Sequence, residues 1–443
     1  MSNLIFSAFG AQNYVFSSHN TTKMQSGLKY FLIVFLIIVL QPTVKGQNIY
    51  TQSREQAMQY MQTAELNKRR GMLNEAFLDY TNAIAIDPNY AEAYMKRALL
   101  LQQMGRYTES MKDHNKAIDL NPYSEVYYDK RARLKIYQTD YQEAISDLNK
   151  ALELSPYDQY LVDIRSIALM EDNQYEKVLD DLNFLLELNP LDTISLLKRA
   201  IIYSKQNAYD LAKADLDSAL VLAPNSELVY DVQGLFYLTI NEVENAIASF
   251  ERAIDLNPAF PMAYYNLSVA QKKLGRIDES LSNLNIAISL NQDFPNAYFN
   301  RAVTHKMFGN EESALADYNK AIAIKSDFTE ALLNRGFTKS MLGRYAESIT
   351  DYDRAVESNP DNPNVYNLRG NVNAFFGKYQ DALEDYNKAL ELNPNFAEAL
   401  YNRGITKILG YQGIDGCKDL EKSLSMGNER AREKILYFCS GAK

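Results

Sequence analysis

Hydrophobic and polar positions follow a pattern that repeats every 34 residues along most of the chain. The stretch from Ala382 to Gly404, ALEDYNKALELNPNFAEALYNRG, predicts one helix, a stop at Asn393-Pro394 and a second helix. Because chance prolines would not keep one register over about 300 residues, the chain is predicted to be an array of repeats. Prolines mark the stop on one lattice, at Pro88, Pro122, Pro156, Pro190, Pro224, Pro258, Pro360 and Pro394, with Gln292 and Ser326 at the two lattice points that lack proline.

Each repeat is predicted to form two helices. In the last regular repeat, Asn362 can cap the first helix, and Pro363 suits the first helical position, where no N–H is needed. Pro394 ends the second helix because it lacks an N–H and clashes with the preceding turn. A helix-breaking glycine separates the two helices in several repeats, at Gly71, Gly105, Gly275, Gly309, Gly343 and Gly377.

Small and large residues alternate where the helices must pack closely. One position of the first helix is always small: Ala64, Ala98, Ala132, Ser166, Ala200, Gly234, Ser268, Ala302, Gly336, Gly370 and Gly404. A second-helix position is also small, except for Val178: Ala76, Ser110, Ala144, Ala212, Ala246, Ser280, Ala314, Ser348 and Ala382. Large residues fill the space between repeats: Tyr80, Leu148, Leu182, Leu216, Phe250, Leu284, Tyr318, Tyr352 and Tyr386. No repeat can bury its apolar stripe alone, so neighbours must stack.

This pattern resembles the tetratricopeptide repeat. The resemblance covers about eleven repeats from Ala57 to about Arg430, although an early bulky position that is Trp in the family is Tyr in seven repeats here. It implies an all-α, right-handed α-solenoid of helix-turn-helix repeats with a concave groove. We expect the array to span 57–428, with a capping helix and tail at 429–443.

The first 46 residues differ from the rest of the chain. They contain no Asp or Glu and carry the apolar run from Tyr30 to Leu40, which is too short to span a bilayer but fits a secretory signal. We expect cleavage after Gly46, with 47–56 as a short N-terminal segment and Met24 as a possible true start. The protein is then exported, and is periplasmic or secreted. The alternative is an uncleaved signal that anchors it to a membrane.

The two cysteines lie at equal distances from a predicted turn. Cys417 and Cys439 are each eleven residues from Asn428, so an antiparallel helix hairpin would place them side by side. With export predicted, a disulfide between them is expected. The alternative is two buried thiols that pack as small hydrophobes.

Composition and motifs argue against several functions. A net charge of -10 does not suit a nucleic-acid binder, which normally needs a basic stripe. Outside the leader only His114 and His305 occur, and packing or surface roles suit them better than general base catalysis. The sequence has no Cys/His cluster at metal spacing and no glycine-rich phosphate loop. We therefore predict no enzyme activity, no metal, no cofactor and no small-molecule substrate.

The family resemblance implies that one face of each first helix lines the groove. In early repeats this face is charged and mixed, whereas later it becomes aromatic, apolar and amide-rich, which suits an extended peptide. The predicted peptide-binding residues are Tyr265, Asn266, Phe299, Asn300, Leu333, Asn334, Phe337, Tyr401 and Asn402, with Asn367 and Phe375 on the same face.

Four of these asparagines share one repeat position: Asn266, Asn300, Asn334 and Asn402. They resemble the asparagine ladder in the repeats of O-linked GlcNAc transferase, which clamps the backbone of bound protein. The ladder is broken at Leu368, although Asn367 is adjacent. The alternative is an asparagine that duplicated repeats inherit and that is exposed or bonds locally.

Arginine recurs beside this position. Its regularity predicts a structural role, in which the stem packs between repeats and the guanidinium meets acidic residues or carbonyls of the neighbour. The recurring residues are Arg97, Arg131, Arg165, Arg199, Arg301, Arg335, Arg369 and Arg403.

The sequence therefore predicts a non-catalytic scaffold that binds protein or peptide segments in its groove. The alternative is a structural subunit of a cell-envelope or secretion assembly that makes permanent contacts through its convex surface and ends. The fold does not name the partner.

Overall fold

The computed structural model describes residues 44–410 and 413–439 of the chain. These residues form helices joined by short turns, and the described part contains no strand. By contact density they divide into two compact units, which we call the N-terminal half, up to Pro224, and the C-terminal half, from Asn225. In each half, consecutive helices pack as antiparallel pairs.

The described N-terminal half contains five helix pairs. The first helix of each pair carries an odd number and the second an even number. The helices are α1 (Val44–Arg69), α2 (Leu73–Ile86), α3 (Ala91–Gln103), α4 (Tyr107–Leu120), α5 (Glu125–Tyr137), α6 (Tyr141–Leu154), α7 (Gln159–Glu171), α8 (Tyr175–Leu188), α9 (Thr193–Lys205) and α10 (Tyr209–Leu222).

The C-terminal half contains six further pairs and a last helix. Its helices are α11 (Glu227–Thr239), α12 (Val243–Leu256), α13 (Pro261–Lys273), α14 (Ile277–Leu290), α15 (Pro295–Met307), α16 (Glu311–Ile324), α17 (Thr329–Met341), α18 (Tyr345–Ser358), α19 (Pro363–Phe375), α20 (Tyr379–Leu392), α21 (Ala397–Leu409), α22 (Gly413–Ser425) and α23 (Arg430–Phe438). The predicted all-α array of eleven helix pairs with a capping helix is confirmed.

The N-terminal boundary differs from the sequence-based expectation. Helix α1 begins at Val44, so residues 47–56 continue the first helix of the array instead of forming a separate segment. Arg54, within this extension, forms an ion pair with Asp87 and lies 3.5 Å from the centre of the Tyr90 ring. These contacts connect the extension to the next repeat. The apolar run of the leader lies outside the described residues, as do residues 440–443.

In the ten pairs whose inner turn is fully described, this turn contains one residue in the left-handed backbone region. The predicted glycines supply it in six repeats, with φ between 70° and 78°. Four consecutive repeats use other residues, Thr139, Asn173, Asn207 and Asn241, at φ of 58° to 65°. Asparagine tolerates this region, whereas a β-branched residue such as Thr139 is rarely found there. Glycine therefore does not mark these four turns in the sequence.

The turn between repeats uses asparagine together with proline. Helix α20 ends at Leu392, and the Asn393 side-chain oxygen accepts the backbone N–H of Asn395 at 3.1 Å. Asn257 makes the same bond to Ala259 at 3.0 Å. The predicted cap at Asn362 is confirmed, because its side chain accepts the N–H of Asn364. These local bonds satisfy backbone groups that the helix ends leave open.

The predicted small and large positions form the core. Every small residue of both helices is buried, including the oversized Val178, and so are the large residues between them. At three repeats the aromatic ring at the large position lies so close to the first helix that only glycine fits there without a shift of the ring: Gly234, Gly336 and Gly370. A Cβ atom at Gly370 would lie 2.7 Å from the Tyr386 ring, which is closer than two carbon atoms can approach.

The capping helix α23 packs against the last repeat through Ala431 and Ile435. In the structure, Cys417 of α22 and Cys439 form a disulfide, with the two Cα atoms 5.8 Å apart. The antiparallel arrangement of α22 and α23 brings the two cysteines together, as their equal distance from Asn428 predicts.

Candidate functional site

The first helices of successive repeats contact one another within each half. Their facing residues pair in a regular way, in which the fifth residue of one first helix meets the sixth residue of the next, 35 positions later. Lys198 pairs with Asp163 at 2.6 Å in the N-terminal half. In the C-terminal half the Asn266 amide donates to Asp231 at 2.8 Å, and the Asn402 amide donates to Asn367 at 3.0 Å. We call the surface formed by the first helices the first-helix face.

This pairing decides which members of the asparagine ladder can meet a ligand. Asn266 is only 1 % exposed, and its amide is held by Asp231. Asn300 is partly buried, donates to the Tyr265 hydroxyl and accepts from Lys272. Asn334 differs, because the fifth residue of the preceding first helix is Phe299, which offers no polar atom. The Asn334 amide makes only a local bond to the Glu330 carbonyl, so it remains accessible.

The other predicted site residues divide in the same way. Tyr265 and Tyr401 are buried, so the prediction that they line an open groove is corrected: their rings pack between helices. Asn266 is corrected for the same reason. Phe299 is partly buried between Tyr318 and Phe328, and Leu333 is also partly buried. Of the predicted aromatic residues, Phe337 stays accessible, at 42 % exposed.

An apolar pocket of about 220 Å³ opens beside Phe337 on the first-helix face. Helices α17 and α19 provide its walls, and Tyr352 of α18 reaches it from the second helix. Phe375, identified in the sequence as part of this face, is 78 % exposed at its edge. The pocket residues that sequence reasoning missed are Ser340, Met341, Tyr352, Leu368, Asn371 and Val372. Most of them lie on the same helix faces as the predicted residues. They were not predicted because only aromatic residues and asparagines were considered.

The recurring arginines bridge neighbouring repeats. Arg165 of α7 donates through two nitrogens to Asp181 of α8, its own second helix, at 3.0 and 2.5 Å. Its third nitrogen donates to Asn149 of α6, the second helix of the preceding repeat, at 2.9 Å. Arg131 and Arg301 make equivalent bonds to an Asp 16 residues later and an Asn 16 residues earlier. A bidentate guanidinium–carboxylate pair fixes geometry as well as charge.

The predicted structural role of arginine is therefore supported, with one correction. The bidentate carboxylate belongs to the same repeat as the arginine. The neighbouring repeat contributes an amide at most bridges, the Thr81 hydroxyl at Arg97 and the Asp353 carboxylate at Arg369. The series is interrupted in the C-terminal half, where Gln233 and Leu267 occupy the arginine position. Two larger clefts, of about 470 and 390 Å³, lie beside Arg369 and Arg199 at these bridges. Because the bridges recur along the array, these clefts are features of the repeat.

The surroundings of His114 and His305 do not suit a general base. His114 is fully buried at a large core position, and its Nε2 lies 2.7 Å from the Gln102 amide. Burial lowers the pKa of the His114 imidazole to about 4, and the nearby Arg131 guanidinium adds to this. His305 is partly buried and lies 3.9 Å from Asp317, which Arg301 already holds. Within the described part of the chain, no group of His, Cys, Asp and Glu residues could hold a metal ion.

None of the helices in residues 44–410 and 413–439 combines the length and the apolar character needed to cross a bilayer.

Fold and site together define a class: an array of stacked helix pairs that serves as a scaffold for protein interactions. Two family models, both describing tetratricopeptide repeats, match the chain at 68–105, 234–275, 341–374 and 377–407, and at 91–124, 126–158, 263–294 and 295–328. Together these segments cover more than half of the sequence. The chain belongs to the tetratricopeptide repeat family.

Three solved structures illustrate the similarity in architecture. The chain is similar to a chain of the APC/C hetero-tetramer Cut9-Hcn1, with 12 % identity, TM-score 0.47, and coverage of 89 % of this chain and 98 % of that one. For yeast Tom70 the identity is 13 %, the TM-score 0.45, and the coverage 88 % and 96 %. For a tetratricopeptide repeat protein from Parabacteroides merdae the identity is 20 %, the TM-score 0.42, and the coverage 56 % and 98 %. No curated protein matches the sequence.

Proposed function

We propose that the protein is a non-catalytic scaffold that binds an extended segment of a partner protein on the first-helix face of its C-terminal half. The observation that carries this proposal is the accessible apolar surface of α17 and α19. Phe337, Met341 and Phe375 are exposed there, although large apolar side chains are normally withdrawn from water. Asn334 adds an amide that can donate to and accept from a peptide backbone.

The asparagine ladder enters this proposal in a reduced form. Asn334 is its accessible member, whereas Asn266 and Asn402 are engaged with residues of the preceding first helix. A bound backbone would therefore be held at one asparagine, with the apolar pocket beside it supplying most of the contact area. This differs from a clamp in which every repeat contributes equally.

The location proposed for this scaffold is outside the cytoplasm. The apolar run after Lys29 supports it by its resemblance to a secretory signal, and the pairing of Cys417 with Cys439 supports it because disulfides persist in oxidising compartments. A partner in the cell envelope follows from this proposed location.

Site-specific photocrosslinking in the native source tests the proposal. A photoreactive benzoylphenylalanine in place of Phe337 should crosslink a partner polypeptide, because this side chain stands on the proposed binding face. The matched control places the same group at Tyr123, which is 81 % exposed at the start of a turn in the N-terminal half. Crosslinks that form from position 123 and not from position 337 would contradict binding on the first-helix face. A stoichiometric complex crosslinked only through position 123 would favour the structural subunit of an envelope assembly.

A further inference from the structure

The pocket between α17 and α19 is lined by apolar side chains together with a few polar ones. Phe337, Met341, Leu368 and Phe375 form the walls, and Tyr352 and Asn371 also line it. A cavity of 150 Å³ suffices to hold a benzene ring, so about 220 Å³ accommodates a larger aromatic side chain. The size of the pocket and its walls therefore fit one bulky aromatic residue.

The hydroxyl of Tyr352 has no hydrogen-bond partner among the described residues, although its side chain is 99 % buried. Two tyrosines at the same repeat position bond to the residue 15 positions earlier, whereas the Tyr318 hydroxyl is buried without a partner. Tyr80 donates to Glu65 at 2.8 Å, and Tyr386 donates to Asn371 at 2.9 Å. For Tyr352 that earlier residue is Phe337, which has no acceptor. The Tyr352 hydroxyl is therefore available to a ligand in the pocket that carries a polar atom.

Asn371 offers a second polar contact. Its side-chain oxygen accepts from Tyr386, and its amide nitrogen donates in none of the hydrogen bonds of the described residues. The pocket lining thus includes a hydroxyl that can donate or accept and an amide that can donate. An aromatic side chain with a polar tip satisfies these groups, whereas a phenylalanine does not.

A lysine stands at the edge of the pocket without a carboxylate partner. The Lys306 ammonium lies 4.2 Å from the centre of the Phe337 ring, and the described residues offer it no ion pair. Lys272, one repeat earlier, donates only to the Asn300 amide oxygen. Burial lowers the pKa of both lysines. In a chain with 56 acidic and 46 basic residues, unpaired half-buried cations beside an apolar pocket favour an acidic ligand.

We infer that this pocket binds a tyrosine or tryptophan side chain of a partner segment that carries acidic residues next to it. The ring fills the space between Phe337 and Phe375, its polar tip pairs with Tyr352 and Asn371, and a neighbouring carboxylate pairs with Lys306. This inference deepens the proposed function and rests on it, since it specifies which kind of segment the first-helix face selects.

Tryptophan fluorescence gives a direct test, because the chain contains no tryptophan. The probe is the N-acetylated, C-amidated peptide Asp-Glu-Trp-Glu-Asp, and its matched control is Asn-Gln-Trp-Gln-Asn. Titration of the full chain into the acidic probe should raise its anisotropy and shift its emission to shorter wavelength. The neutral peptide should bind about fivefold more weakly. Equal affinity of the two peptides, or binding of neither, would overturn the inference.

Three variants locate the binding. Phe375→Ala should weaken the acidic probe about tenfold, because it removes one wall of the pocket. Tyr352→Phe keeps the ring and removes the hydroxyl, with an expected loss of about fivefold. Lys306→Met should reduce the affinity of the acidic peptide to that of the neutral one. Tyr123→Ala, which removes a comparably exposed aromatic residue from the N-terminal half, should change nothing.

The failure of this inference can be told apart from that of the proposed function. If Phe375→Ala binds the acidic probe as wild type does, the pocket is not the site, and the inference is overturned. Position 337 could still crosslink a native partner, in which case the scaffold function stands. Phe375 is 78 % exposed, so its truncation should leave the melting temperature unchanged and the comparison valid.

Discussion

At the scale of single residues, hydrogen bonding between neighbouring first helices determines which polar side chains of the first-helix face are accessible. Asp231 is almost fully buried, and the Asn266 amide is its hydrogen-bond donor. Burial raises the pKa of the Asp231 carboxyl to about 7, and the amide donation opposes this only in part. The ionised carboxylate is therefore a source of instability at neutral pH.

The difference in the free energy of unfolding between the wild type and Asp231→Asn should depend on pH. The pKa of Asp231 in the folded protein lies above its ordinary value of 3.8, so the folded state binds the proton more tightly than the unfolded state does. The stabilising contribution of the protonated carboxyl is complete below about pH 4 and is lost as the pH rises through about 7. The wild-type protein should thus gain up to about 4 kcal/mol relative to Asp231→Asn between pH 8 and pH 4.

Urea denaturation of both proteins at several pH values measures this difference, because subtraction removes the titrations that they share. Asn retains an oxygen that can accept the Asn266 amide, so the hydrogen bond is kept in the variant. A constant difference across the pH range would show that Asp231 is ionised throughout or exposed.

The same residues show how far the candidate site could be predicted. The sequence places Asn266, Asn300 and Asn334 at one repeat position, and the structure confirms that they share it. The sequence position alone does not show that Asn266 is buried, Asn300 is bonded and Asn334 is accessible. This depends on the residue 35 positions earlier, which is Asp231, Tyr265 or Phe299 respectively. Comparing the fifth and sixth positions of successive first helices would have revealed the distinction.

At the scale of helices, the arginine bridges connect three elements at once. Arg165 joins α7 to α8 through Asp181 and to α6 through Asn149. The carboxylate is well buried, and burial raises the pKa of Asp181 while the arginine counteracts this. Removal of the arginine leaves a buried carboxyl without its partner.

Arg165→Met should therefore lower the free energy of unfolding of the N-terminal half by about 3 kcal/mol. The double variant Arg165→Met/Asp181→Leu should recover most of this loss, because no unpaired charge remains. Lys150→Met removes an exposed ion pair to Glu153 from α6 and should have no measurable effect. Urea midpoints of the four proteins decide. If the double variant is as unstable as the single one, the bridge stabilises through something other than the buried charge.

Helix pairs and turns were predictable because each follows from local chemistry. Proline and glycine mark the ends, and the small and large positions mark the packed faces. The sequence did not reveal the left-handed turns at Thr139, Asn173, Asn207 and Asn241, since tertiary packing selects that conformation for residues with other options. The extension of α1 was also not predicted, because residues up to Gly46 were assigned to a leader and 47–56 to a short separate segment.

At the scale of the whole molecule, the expected mature chain begins at Gln47 and holds one disulfide. The intact mass of protein isolated from its native source tests both features. The mass should correspond to residues 47–443 less two hydrogens, and alkylation should modify two thiols only after reduction. A mass that includes residues 1–46 would contradict cleavage, and alkylation without reductant would contradict the disulfide.

The disulfide should also stabilise the end of the array. It closes a segment with a sequence separation of 22, for which the loss of unfolded-chain entropy corresponds to about 3 kcal/mol. Since each repeat contacts only its neighbours, reduction should loosen α22 and α23 and leave distant repeats intact. Hydrogen exchange of the reduced protein would show whether the effect stays local.

The arginine bridges have a further consequence for how such a chain can change in length. Most bridges take an amide from the preceding repeat and a carboxylate from their own, and Asn115 and Asn149 supply equivalent amide oxygens at successive bridges. Loss of the 34 residues 125–158 would bring Asn115 to the place that Asn149 occupies beside Arg165. When whole repeats are duplicated or deleted, the arginine therefore still meets an equivalent amide in the preceding repeat. A change of 33 or 35 residues would rotate this amide out of reach of the guanidinium. The geometry of one side chain thus provides a reason why arrays of this kind can lengthen and shorten in steps of one repeat.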